Sequence, residues 1–128
     1  MEEKIEKWCT KYSSRLEELT DRRGEDENVC WLFKGRKSKA GYGLMDVRIP
    51  GKRGATTRNA QRLVLLTRRV KAWDVPPELQ ASHLCGNRLC VRESHLVFER
   101  QAINKERQIC HNNKECQGHE PQCILTAR

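Results

Sequence analysis

Little in this sequence can build an oily interior: of 128 residues, 37% are hydrophobic, seven are aromatic and 33% are charged. A chain this short and this polar buries too little apolar surface to rest on packing alone, so a self-sufficient hydrophobic domain is excluded and some other staple is required. The scarcity of aromatics argues against a module that stacks unpaired bases, as RNA-binding domains do. No stretch approaches the ~20 apolar residues of a membrane-spanning helix, and neither an apolar leader nor a lipidation motif is visible. Repeats at solenoid periods are missing too. The last lack is local: residues 34–71 contain a single acid, Asp46.

Against that acid stand twelve Lys and Arg, so most of the formal net charge of +8 sits in the middle third of the chain. Residues 1–30 hold six bases and nine acids, and residues 72–128 hold seven of each. An excess of that size in 38 residues repels itself unless a polyanion faces it, which makes this segment the expected nucleic-acid surface.

The staple is visible between Ser82 and Cys123, which contain five of the seven cysteines and all four histidines. Candidate ligands run Cys85-x4-Cys90-x4-His95 and then Cys110-x5-Cys116-x2-His119-x3-Cys123. Tetrahedral zinc takes four thiolate or imidazole ligands, with short loops between paired ligands. The second group is complete as Cys3His, and Cys30, just before Trp31, supplies the fourth ligand of the first. A disulfide framework is the competing reading for closely spaced cysteines. The odd count and the histidines at ligand spacing favour two structural zinc ions in a reducing, intracellular compartment. Cys9, on an apolar helix face, reads as a buried thiol.

The segment Ser82-His83-Leu84-Cys85-Gly86-Asn87-Arg88-Leu89-Cys90, followed by Ser94-His95-Leu96 and Asn104-Lys105, resembles the core of the His-Cys box homing endonucleases, members of the ββα-metal (His-Me finger) nucleases. Cys30-Trp31 and Gly41-Tyr42-Gly43 resemble the same family, so the likeness runs from about residue 28 to 123. It implies two structural zincs, a general-base histidine at His83, and an asparagine, Asn104, holding one catalytic Mg2+ or Mn2+. It also implies an arginine at the scissile phosphate, for which Arg48 is the first choice because the family carries one on its DNA-facing sheet, with Arg58 and Arg62 as rivals. Family members generally pair through a longer tail than the five residues after Cys123, so a homodimer would have to form through another surface, such as the N-terminal helix; otherwise a monomer nicks one strand.

The residues support these roles independently. His83 stands next to the ligand pattern and outside it, and an imidazole near neutrality can take a proton from water. An oxygen donor such as Asn104 suits a hard cation that keeps most of its waters. Alternation places Ser82 and Leu84 on one face of a strand and His83 on the other. A return strand at His95–Phe98 and a helix over roughly 99–109 would follow.

In chain order, residues 1–27 read as an amphipathic helix (3–20) and an acidic linker, and residues 28–81 as a basic DNA-binding sheet and helix. Residues 82–128 read as the zinc-bound catalytic core. The expected class is a single α+β domain of 1–128, zinc-stapled, with an antiparallel DNA-binding sheet and a ββα-metal motif. A ribbon from Gly41 to Ile49, with Met45, Val47 and Ile49 inward, turns at Pro50–Gly54, and suits a DNA major groove. Its contact candidates are Lys37, Lys39, Arg48, Lys52, Arg53 and Arg58. Thr57 is the expected N-cap of a helix through Val70, burying Ala60, Leu63, Val64, Thr67 and Val70. The function read from all this is a metal-dependent endonuclease acting on double-stranded DNA, wherever that DNA lies, the nucleus first. The alternative is a non-catalytic zinc-dependent DNA-binding module like the Smad DNA-binding domains, which resemble this fold without cutting.

Overall fold

A computed structural model of the chain describes residues 2–128. It is a mixed α+β domain of short antiparallel hairpins and helices around one core and two cysteine-histidine clusters. Helix α1 (Glu2–Glu18) forms because Trp8, Cys9, Tyr12 and Leu16 fall on one face and are buried, while Glu2 and Glu3 suit the positive end of its dipole. Strand β1 (Thr20–Asp21) pairs with β2 (Leu32–Phe33). The acidic segment between them is not a free linker. It folds over the first metal cluster, where the Glu25, Asp26 and Val29 carbonyls accept hydrogen bonds from the buried Arg92 guanidinium.

Strands β3 (Leu44–Val47) and β4 (Thr56–Asn59) make the basic ribbon, in the register Leu44↔Asn59 to Val47↔Thr56. Met45 and Val47 point inward and Asp46 outward, as the alternation requires. Helix α1 braces the end of this ribbon. The Trp8 indole N–H donates to the Arg48 carbonyl (2.9 Å), and the Arg48 amide donates to the Tyr12 hydroxyl (2.8 Å). Gly43 is demanded by packing, since a β-carbon there would sit 2.5 Å from the Phe33 ring.

Two expectations for the next helix are corrected. Thr57 is no cap, because Thr56–Asn59 is strand; helix α2 spans Ala60–Val64 and starts from Asn59 without a side-chain cap. The helix then widens into a π turn, Leu65–Arg69, with the Val70 amide bonded to the Leu65 carbonyl. The extra residue rotates the following side chains. Leu65, Leu66 and Thr67 are all buried in consequence, and Val70 is turned out to 43% exposure. Arg68 and Arg69 act as internal ties, to Ser13 and to the Leu96 and Glu93 carbonyls respectively.

Strand β5 (Leu79–His83) pairs with β6 (Leu96–Arg100), from Leu79↔Arg100 to His83↔Leu96, and helix α3 (Gln101–Asn113) packs across both. This is a ββα unit, its helix starting about two residues later and ending about a turn later than the 99–109 expected from the sequence. The final residues fold back along the domain: the Ile124 amide donates to the Leu84 carbonyl and the Arg128 amide to the Asn28 carbonyl. Among the described residues no helix is long and apolar enough to cross a membrane.

Candidate active site and metal centres

All seven cysteines are free thiols, which removes the disulfide reading. Six of them join two histidines in two Cys3His clusters, Cys30/Cys85/Cys90/His95 and Cys110/Cys116/His119/Cys123, each with its ligand atoms within 4.8 Å of one another. Tetrahedral zinc with the usual Zn–S and Zn–N lengths sets its S and N ligands about 3.6 Å apart. The His95 Nδ1 lies 3.7 and 3.5 Å from the Cys30 and Cys90 sulfurs, and the His119 Nδ1 lies 3.5, 3.9 and 3.9 Å from those of Cys110, Cys116 and Cys123. Both donor sets fit zinc.

The surroundings orient each ligand. The His95 Nε2 hydrogen-bonds the Glu27 carbonyl, and the His119 Nε2 pairs with a Glu106 carboxylate oxygen (2.8 Å), so each ring turns Nδ1 toward the sulfurs. Backbone amides of Gln117 and Cys123 donate to the Cys110 and Cys116 sulfurs. Arg107, 1% exposed, donates to the Cys123 sulfur (3.3 Å) and the Pro121 carbonyl, and forms a two-pronged pair with Glu99 at 2.6 and 3.0 Å. Three thiolates around a dication leave a net negative charge, so this buried cation is matched from both sides.

The two clusters flank a cleft of about 480 Å³ whose walls come from the ribbon (Tyr42, Asn59), β5 and α3. Its lining has three arginines and two histidines and no Asp or Glu, a field suited to an anion. The sequence candidates His83 and Asn104 both face it. His83 is 8% exposed, and its Nε2 lies 3.0 Å from the Cys90 carbonyl. A carbonyl only accepts, so Nε2 carries the proton and Nδ1 keeps its lone pair. Burial pushes the His83 pKa down to about 4, although the Cys90 carbonyl partly opposes this, so the ring is neutral at pH 7. Tyr42 stacks on it, ring centres 6.0 Å apart. Asn104 is half-buried, and its Nδ2 donates to the Gln80 Oε1 (3.0 Å), while its Oδ1 accepts no hydrogen bond among the described residues.

These positions carry a family assignment. The family model for the zinc-binding loop region of homing endonuclease matches residues 29–128. The chain belongs to that family. No curated protein and no solved structure matches it. Helix α1 lies outside the family match, and both metal clusters and the whole ββα unit lie inside it.

Arg48 does not line the cleft. Strand alternation turns its side chain outward beyond the end of β3, and its backbone is held by Trp8 and Tyr12. Lys37, Lys39, Lys52 and Arg53 are exposed on the loops around the ribbon, while Arg58 is half-buried and bonded to Thr56 and Thr57. Asp46, the one acid on this basic face, is held by Thr57 (2.6 Å) and Arg36 (3.1 Å), which together keep its carboxyl below the usual range. Sequence reasoning passed over His111, Arg88 and Tyr42. His111 donates from Nε2 to the Leu84 carbonyl (2.9 Å) and packs against Gly86, and its place seven residues after Asn104, on the same helical face, was the available signal.

Proposed function

We propose that the protein is a metal-dependent endonuclease of double-stranded DNA. The observation that carries the reading is the shared cleft: a neutral, tautomer-fixed imidazole at His83 and a free amide oxygen at Asn104, in a lining without carboxylates. His83 Nδ1 takes a proton from a water molecule as the water oxygen attacks phosphorus. The P–O3′ bond breaks, the departing oxygen takes a proton from solvent, and the products carry a 5′-phosphate and a 3′-hydroxyl. The Asn104 Oδ1 would hold Mg2+ or Mn2+, which when bound neutralises charge on the phosphate and the departing oxygen. With a single protein ligand such an ion is retained chiefly when DNA is present. The ribbon, with Lys37, Lys39, Arg48, Lys52, Arg53 and Arg58, grips the duplex beside the cleft, mostly through phosphates.

The test is supercoiled plasmid in magnesium with the wild type and His83→Ala. The variant should cut about 10²- to 10⁴-fold more slowly while still retarding DNA. Relaxed circles would identify a nicking monomer and linear product a paired enzyme. Retarded DNA left intact by the wild type in magnesium and manganese would overturn the nuclease reading in favour of a zinc-stapled DNA-binding module.

A further inference from the structure

A phosphate attacked in this cleft needs a cation to grip it. Three arginines line the cleft, and their hydrogen bonds separate them. Arg107 is fully buried and bonded to Glu99, Pro121 and Cys123. Arg62 donates from Nη1 to the Leu79 carbonyl (2.6 Å) and from Nη2 to the Val75 carbonyl (3.2 Å), with its guanidinium over the Phe98 ring. Both are struts, their forks turned to the protein's own acceptors. Arg88 is different. It is exposed, its one side-chain hydrogen bond among the described residues runs from Nη1 to the Ala40 carbonyl (2.7 Å), and a guanidinium has five N–H donors to place.

Its location is also specific. Arg88 lies between the ligands Cys85 and Cys90, in the loop that the first metal cluster pins. Its guanidinium carbon stands 5.4 Å from the centre of the Tyr42 ring, the ring that stacks on His83. Tyr42 is therefore near both the proposed base and this cation, and Arg88 lines the same cleft as His83. A guanidinium offering two parallel N–H groups matches two oxygens of one phosphate better than an ammonium does.

We infer that Arg88 is a catalytic residue: its unoccupied N–H groups bind the non-bridging oxygens of the phosphate attacked by the water at His83, and stabilise the charge that builds there as the P–O3′ bond breaks. The assignment rests on the nuclease reading and replaces Arg48 in that role. The competing role is a strap, in which Arg88 merely ties the Gly41–Gly43 loop to the metal loop through Ala40.

Three variants of the full-length, zinc-loaded protein separate the roles: Arg88→Ala, Arg88→Gln and Arg88→Lys. Glutamine can still donate to the Ala40 carbonyl but has no charge, and lysine keeps the charge without the fork. Each is assayed for nicking of supercoiled plasmid in magnesium at saturating enzyme, for retention of the same plasmid in calcium, and for melting temperature. Expected are losses of about 10²-fold or more in nicking rate for Ala and Gln, an intermediate loss for Lys, and retention within about threefold of wild type. A Gln variant that nicks at the wild-type rate, or that melts well below the wild type, overturns the assignment in favour of the strap. Parallel losses of retention and rate overturn it in favour of an ordinary DNA contact. A wild type that does not nick removes the nuclease reading and this assignment with it, a result distinct from a wild type that nicks and variants that do so equally.

Discussion

Replacing Glu99 with alanine would leave the Arg107 guanidinium, 1% exposed, without the carboxylate that meets it at 2.6 and 3.0 Å. Breaking a buried pair from one side costs about 3–5 kcal/mol, because the remaining charge stays desolvated. The lower end applies here, since Arg107 keeps the Pro121 carbonyl and the Cys123 thiolate, and the metal cluster supplies some of the missing negative charge. A loss of about 3 kcal/mol from a total of roughly 5–15 would lower the melting temperature by about 10 °C. The readouts are thermal melting of the zinc-loaded protein and the rate of zinc release to a colorimetric chelator. Release should quicken from one site only, the Cys110 cluster. The control is Glu99→Leu with Arg107→Met, which removes both charges and should recover part of the melting loss but not the zinc retention, because the Cys123 sulfur has lost its donor. A Glu99→Ala melt within about 3 °C of wild type, or a double variant no more stable than the single, would refute the account of Arg107 as a matched buried cation.

Stripping zinc with a strong chelator should unfold the domain in two stages, because the first cluster is wholly buried and Cys116 and His119 of the second are partly accessible; an unchanged melt would contradict the stapling argument. The depressed pKa of His83 sets a sign for the pH profile. Its proton-accepting form persists well below the ordinary imidazole value of about 6.5, so nicking should stay flat from about pH 7.5 to 5.5, and a tenfold-per-unit fall starting near 6.5 would argue against a buried base. Gly86→Ala combines a backbone φ of +72° with a β-carbon 2.9 Å from the His111 ring. It should cost about 2–3 kcal/mol from left-handed strain and the weakened His111–Leu84 bond, and adding His111→Ala should relieve the clash but not the strain.

Much of this was legible because the constraint is local. Ligand spacing reports on loop geometry, so Cys85, Cys90, His95 and the Cys110–Cys123 run could be grouped by counting, and Cys30 joined by remainder. Period-3.6 and period-2 patterns likewise placed Trp8, Tyr12 and Leu16 on one face and Met45 and Val47 on another. Three features were not legible. A π turn leaves no mark in a hydrophobic pattern, so Val70 seemed to continue the buried stripe of Leu63 and Val64. The acidic charges of residues 21–27 suggested a linker, yet its backbone carbonyls meet Arg92 and His95, with the Glu27 carboxylate joining the Arg92 guanidinium, and carbonyls are common to every sequence. The choice among arginines depends on which acceptors each guanidinium meets. Composition makes Arg48, Arg62 and Arg88 equivalent, and only the folded chain distinguishes a strut from a free fork.

The placement of the metal clusters answers the shortage of apolar residues in a way that also serves chemistry. A small core holds side chains loosely, and a base displaced by about 1 Å can lose two orders of magnitude in rate. Here the position of each proposed catalytic group is set by a neighbouring cluster. His83 is two residues from Cys85 and hydrogen-bonded to Cys90, both in the first. Asn104 is on the helix whose last turn carries Cys110, a ligand of the second. The two halves are tied together across the cleft by His111, which follows Cys110 and bonds the Leu84 carbonyl between His83 and Cys85. The two metal clusters and the ββα unit between them thus hold the cleft, while the basic ribbon beside it is tied in by hydrogen bonds, with Trp8 and Tyr12 at one end and from Arg88 to the Ala40 carbonyl at the other. Two such clusters let 128 residues poor in apolar material bring the two proposed catalytic side chains into one cleft.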